Sequence, residues 1–205
     1  MRVRITFSKT GALRYIGHLD LTTIWERAAR RAGLPLAYTQ GFHPQPKMAF
    51  ASALPLGFSS RCEVMDMRLN EDMDLTSLSV QLQNAMPAGI GILKVGSVDE
   101  HEPPLQMQIV SAEYEVSLTE AIDRSSLKRK IDEVESNPSL PRERRGRSYD
   151  LRPLIEKLEL TSENKILMRL SAREGATGRP EEVLHILGIS SEHAHVERTN
   201  LIFRN

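Results

Sequence analysis

Two prolines separated by a single residue sit in Gly41-Phe42-His43-Pro44-Gln45-Pro46-Lys47. Each removes a backbone donor and fixes φ, and each biases the residue before it toward extended backbone. No helix can run through this stretch, so the chain must break here between one regular element and the next. Upstream lies Arg14-Tyr15-Ile16-Gly17-His18-Leu19-Asp20, then a compact basic helix; downstream the segment closes on Leu54-Pro55-Leu56-Gly57. Irregular backbone held between rigid elements is where binding groups tend to sit. Everything from Arg14 to Gly57 is therefore the candidate functional region.

The elements around it are set by periodicity. Val3, Ile5 and Phe7 alternate with Arg2, Arg4 and Thr6, the pattern of a half-buried strand. Leu21, Ile24, Trp25, Ala28 and Ala32 recur at helical spacing, predicting a helix from His18–Asp20 to Arg31 or Ala32 with Trp25 under the first sheet. Gly33 suits its end and Pro35 forbids continuation. Asp20 is placed to cap it, and Glu26 to pair with Arg30. Two strands at 48–51 and 64–69, a helix from Asp74 or Thr76 stopped by Pro87, and a strand at 90–98 complete a β-α-β-β-α-β order.

The second half repeats that order more loosely. It offers a strand at 112–118, a helix at 120–135 carrying Ile122, Leu127, Ile131 and Val134, strands at 154–161 and 165–172, a helix at 180–187 and a strand at 195–203. Residues 138–149 read as irregular and basic, with Arg142, Arg144, Arg145 and Arg147 against Glu143. The Gly175–Arg179 loop reads as a flexible turn. The expectation is an α+β protein of two consecutive ferredoxin-like βαββαβ units, residues 1–102 and 103–205, with Glu102-Pro103-Pro104 as linker.

The formal net charge of zero conceals a segregation. Residues 1–61 hold nine cations against Asp20 and Glu26 alone. Residues 62–103 hold eight acids against Arg68 and Lys94. A basic face of this kind suits a polyanion. With Cys62 as the only cysteine, an intrachain disulfide and a cysteine-held cluster are both excluded. No apolar run approaches the roughly 20 residues of a membrane span, and the N-terminus lacks a signal peptide's apolar block. A cytoplasmic protein without cofactor, metal or membrane contact is expected.

Ser8-Lys9-x-Gly11, Arg14 to Asp20, Glu26-Arg27-Ala28-x-x-Arg31-Ala32, Gly41 to Lys47 and Leu54 to Gly57 together resemble the radical SAM-linked family of bacterial proteins. Asp150-Leu151-Arg152-Pro153 and Arg198-Thr199 extend the resemblance into the second half. This chain has His43 and Gln45 before its two prolines, where the family usually has asparagine and histidine. The resemblance implies partnership with a B12-type radical SAM protein or a ribonuclease E/G. The chain cannot itself hold a radical SAM cluster, which needs three thiolates.

Arg14, Arg27, Arg30, Arg31 and Lys47 supply phosphate-binding cations, and Tyr15 and Tyr38 supply stacking faces for unpaired bases. His18 and His43 sit among them. A cationic groove with aromatic platforms is a general solution for single-stranded RNA. The same residues also fit a solvated helix face and a rigid turn, and no histidine has an orienting partner legible in the sequence. The expectation is RNA binding without chemistry, by an accessory protein. The alternatives are a protein–protein adaptor without RNA, and a metal-free endoribonuclease using His18, His43 and Lys47, similar in fold to the CRISPR repeat-processing enzymes.

Overall fold

The structure, a computed structural model, describes residues 1–120, 122–144 and 146–204. It divides into two compact units, Met1–Gln108 and Ile109–Asn205, both mixing helices with antiparallel sheet. No helix among the described residues is long and apolar enough to cross a membrane.

The first unit opens with β1 (Arg2–Lys9), whose Val3, Ile5 and Phe7 are fully buried. Then come α1 (His18–Arg31), β2 (Met48–Phe50), β3 (Ser59–Arg68), α2 (Leu75–Ala85), β4 (Ile90–Val98) and the short α3 (Leu105–Gln108). The strands lie in the order β2-β3-β1-β4, every neighbour antiparallel. The buried stripe of α1 consists of Leu21, Trp25, Ala28 and Ala29. The Trp25 indole meets Phe7 edge-on, ring centres 4.8 Å apart, and Phe7 meets Phe50 in the same way at 6.3 Å. Burying two such aromatic pairs ties α1 to the sheet and adds specific geometry to the apolar contact. Asp74 caps α2 by accepting from the Ser77 amide at 2.8 Å, and Pro87 lies just past its end.

Residues 102–104 do not hang free. Arg2 donates to the carbonyls of Glu102 at 2.8 Å and Pro103 at 3.1 Å, and Leu105 is buried. These contacts hold the stretch against β1, so the first compact unit continues through α3.

The second unit contains β5 (Ile109–Leu118), α4 (Arg124–Ser136), β6 (Pro141–Arg144), β7 (Arg147–Asp150), β8 (Ile155–Leu160), β9 (Ile166–Arg173), β10 (Ala176–Thr177), α5 (Pro180–Ile186) and β11 (Ala194–Phe203). Its sheet runs β8-β9-β5-β11, again antiparallel throughout, with β10 folded back on the end of β9. Leu127, Ile131 and Val134 of α4 and Val183 and Leu184 of α5 are buried.

Three expectations change here. Helix α4 starts at Arg124 instead of 120, because the Asp123 carboxylate accepts from the Ser125 and Ser126 amides and so sets the cap; Ile122 lies ahead of the helix and is 38% exposed. The basic stretch 138–149, expected to be irregular, holds the two-stranded ribbon β6–β7 with Gly146 at φ +73° in its turn. Arg145 lies outside the described residues. The Gly175–Arg179 stretch is ordered by the pairing of β10 with β9 and by buried Gly178, where a Cβ would stand 2.9 Å from the Leu154 carbonyl oxygen, while Gly175 stays exposed.

Candidate nucleic-acid interface

Helix α1 begins at His18 with Gly17 as its cap residue, and no side chain caps it. Asp20 sits in the first turn and does not take that role. Ahead of the helix, Gly57 donates its amide to the Arg14 carbonyl at 2.8 Å, so the Leu54–Gly57 turn lies against the segment carrying Arg14 and Tyr15. The Arg14 guanidinium covers the Tyr15 ring, 4.7 Å from its centre, and donates to the Tyr15 hydroxyl. Tyr15 is 60% exposed, so a cation and an aromatic face are presented to solvent as one stacked unit. His18 packs edge-on against buried Phe50 at 5.1 Å. Arg14, Tyr15 and His18 thus gather at the start of α1.

The proline-framed stretch forms a hairpin. Ala37 donates to Arg68 O at 3.0 Å and accepts from the Lys47 amide at 2.8 Å; Thr39 donates to Gln45 O at 2.8 Å. The Thr39 hydroxyl accepts from the Gln45 amide at 3.0 Å, and Tyr38 bridges to Pro46. Residues 40–44 are left as the tip, with Gly41 at φ +130°, a region open essentially to glycine alone. Phe42 stands fully exposed on this tip beside exposed His43, and Lys47 lies in the descending leg. Tyr38, in the ascending leg, is 37% exposed.

Arg27, Arg30 and Arg31 are exposed on α1 at i, i+3 and i+4, and so neighbour one another. Arg31 is partly committed to the fold, donating to the Ala85 carbonyl at the end of α2. Several cations of residues 1–61 serve the interior instead of the surface. Arg2 and Arg4 pair with Asp66, and Lys9, 1% exposed, donates to the Ile16 carbonyl. Of the remaining cations, Arg27, Arg30, Lys47 and Arg61 are exposed.

Sequence reasoning overlooked three apolar side chains of this region. Phe42, Leu19 (81% exposed) and Leu56 (65% exposed) all face solvent. A signal existed for Leu19, which lies off the Leu21–Trp25–Ala28 stripe. The family-like motifs of the second unit are structural. Asp150 accepts from the Leu140 and Arg152 amides at 2.7 and 2.9 Å, Leu151 is fully buried, and Arg198, 1% exposed, lies over the Tyr114 ring. Among the described residues no three histidine, cysteine or carboxylate side chains gather as a metal-ligand set.

No curated protein matches this chain. Among solved structures it is similar to a chain of a Cbf5–Nop10–Gar1 complex, with a TM-score of 0.46 and 11% identity over 97% of this chain and 48% of that one. It is similar also to a chain of the archaeal box H/ACA sRNP Nop10–Cbf5 complex (0.44, 13%, 97% and 47%) and of an H/ACA RNP bound to a substrate RNA containing 2′-deoxyuridine (0.46, 12%, 97% and 47%). The chain spans about half the length of these chains. A family model described as an uncharacterised protein conserved in bacteria, DUF2344, matches residues 2–180, and the chain belongs to that family.

Proposed function

We propose that the first unit binds single-stranded RNA without cleaving it, as a cytoplasmic accessory protein working with a radical SAM modification enzyme or a ribonuclease E/G. The observation that carries this reading is Phe42, held fully exposed on a hairpin tip whose legs are fixed by backbone bonds. An exposed aromatic on a hairpin tip offers a free ring face for stacking on an unpaired base. Arg14 with Tyr15 offers a second stacking face, and Arg27, Arg30 and Lys47 offer phosphate contacts, with Arg31, Tyr38, His18 and His43 beside them. His18 rests against Phe50, an apolar neighbour that supports packing more than proton transfer. The strand orders β2-β3-β1-β4 and β8-β9-β5-β11 support reading both units as ferredoxin-like βαββαβ folds.

The test is equilibrium binding of a labelled oligouridine to the full chain across a salt series. Phe42→Ala is expected to weaken binding by about 1–3 kcal/mol, the worth of one base stack. Changing Arg27, Arg30 and Lys47 to Gln should lower the salt slope by about 0.7 per lost phosphate contact. The exposed Leu19 and Leu56 favour a second reading, a protein–protein adaptor, because aliphatic side chains stack poorly on bases. Wild-type protein that binds no RNA at low salt would leave the adaptor standing. Incubation of end-labelled RNA in EDTA should give no cleavage; cleavage lost in His43→Ala would reinstate the metal-free endoribonuclease.

A further inference from the structure

The ribbon β6–β7 of the second unit carries an arrangement that the proposed function leaves unused. Its register sets Arg142 opposite Tyr149 and Arg144 opposite Arg147, while Glu143 opposes Ser148. Cross-strand partners share a face and alternate pairs switch faces. Arg142, Arg144, Arg147 and Tyr149 therefore crowd one face, and Glu143 points to the other. Like charges placed directly opposite on a two-stranded ribbon repel. Arg142 is satisfied, since it pairs with Glu182 at 2.9 Å. Arg144 and Arg147 make no ion pair with a carboxylate among the described residues, nor does Arg179.

These three arginines line one cleft of about 820 Å³, together with Tyr149, Asp150 and Thr177. The one acid in that lining, Asp150, is oriented by the fold: its Oδ1 accepts from the Leu140 and Arg152 amides, so a single negative charge faces three guanidinium groups. The segment of the lining that carries Arg179 is held by backbone and side-chain bonds, with Ser171 donating its hydroxyl to Ala176 O at 2.7 Å and Gly178 donating its amide to Ser171 O at 2.8 Å. Three guanidinium groups without a carboxylate partner among the described residues share one open cleft, and their mutual repulsion favours entry of an anion. Guanidinium forks match phosphate oxygens bidentately, and Tyr149 adds a hydroxyl donor.

We infer that this cleft is a phosphate-binding site. The phosphate belongs either to an RNA backbone, in which case the inference rests on the proposed function and adds a second RNA contact, or to a free oligophosphate, in which case it does not.

The experiment uses the full chain and two probes, tripolyphosphate and oligouridine, with binding read by calorimetry at low salt. Four proteins are compared: wild type, Arg144→Gln/Arg147→Gln/Arg179→Gln, Arg27→Gln/Arg30→Gln/Lys47→Gln, and Arg144→Lys/Arg147→Lys/Arg179→Lys. The cleft variant is expected to lose at least about tenfold in affinity for a probe that wild type binds. Its melting temperature should equal or exceed wild type, because opposed charges have been removed. The charge-keeping variant Arg144→Lys/Arg147→Lys/Arg179→Lys should bind between the two, since lysine keeps the charge and loses the fork. Tripolyphosphate binding that depends on the cleft, with no RNA bound by wild type, supports the site and sinks the RNA reading. Oligouridine binding that depends on Arg27, Arg30 and Lys47 alone, with no tripolyphosphate bound, overturns the site and leaves that reading intact. Wild-type affinity for both probes in the cleft variant, or no binding of either probe by wild type, also overturns it.

Discussion

Arg2 and Asp66 form a buried ion pair: Arg2 Nη2 lies 2.6 Å from Asp66 Oδ2, and each side chain is 6% exposed. Arg4 joins from the same face of β1, with Nε 2.8 Å from Asp66 Oδ1, and Asp66's hydrogen bond and charge raise the Arg4 pKa. Arg2 then spends its remaining donors on the carbonyls of Glu102 and Pro103. One carboxylate thus answers two arginines, and one arginine anchors the far end of the unit to its first strand.

Removing Asp66 should accordingly be severe. Asp66→Leu leaves Arg2 buried without its counter-ion, and breaking such a pair costs about 3–5 kcal/mol. Replacing Arg2 and Arg4 by Met in the same protein should recover most of that loss, since a packed apolar set needs no counter-ion. Urea denaturation of the single and triple variants measures both. A single variant as stable as wild type would show that Asp66 is not the keystone of this cluster.

Trp25 is the sole tryptophan, fully buried, and its indole N–H has no hydrogen-bond partner among the described residues. Its fluorescence should be blue-shifted and resist iodide quenching in the native protein. Trp25→Ala should cost about 3–5 kcal/mol. Trp25→Phe should cost distinctly less, because it removes the unpaired donor while keeping an aromatic against Phe7. Equal losses in the two variants would mean that the N–H is satisfied in solution.

Gly178 is required for space. An added Cβ would meet Leu154 O at 2.9 Å and the Leu170 Cβ at 3.1 Å. Gly178→Ala is expected to cost about 1–3 kcal/mol through overpacking. Gly175→Ala meets no atom within 4 Å, and with φ at +74° carries only the left-handed backbone cost of about 1–2 kcal/mol. Thermal unfolding with a near-ultraviolet signal compares them; a neutral Gly178→Ala would show that β9 and the Leu154 corner are loosely packed.

The corner at Asp150 should respond to acid. The Leu140 amide first, and the Arg152 amide next, hold its carboxyl below the ordinary carboxylate range. A carboxylate whose pKa is lower folded than unfolded adds stability above the unfolded value of about 3.9, and that stability is lost as pH falls through the folded pKa. Glu113, lowered chiefly by its hydrogen bond from Arg169, acts in the same direction. Stability should therefore decline below about pH 4, and Asp150→Asn should decline less steeply while starting lower. Urea midpoints taken between about pH 2.5 and pH 6 check the sign, and identical slopes in the two proteins would exclude Asp150 as a contributor.

The local elements were legible in the sequence because their causes are local. Alternation of Val3, Ile5 and Phe7 marks β1, the stripe through Leu21 and Trp25 marks α1, and Pro44 and Pro46 forbid regular structure where the exposed hairpin stands. Three things were decided only by the tertiary structure. Asp66, remote in sequence, draws Arg2 into the core and neutralises half-buried Arg4 beside it, so a count of cations along residues 1–61 overstates the basic face. The β6–β7 ribbon draws its pairing from backbone bonds between strands that carry almost no apolar alternation, so periodicity is silent there. Phe42 looks like any hydrophobic residue in a string of letters; whether it packs or stands in water depends on which atoms the hairpin legs bring near it, and those legs place none.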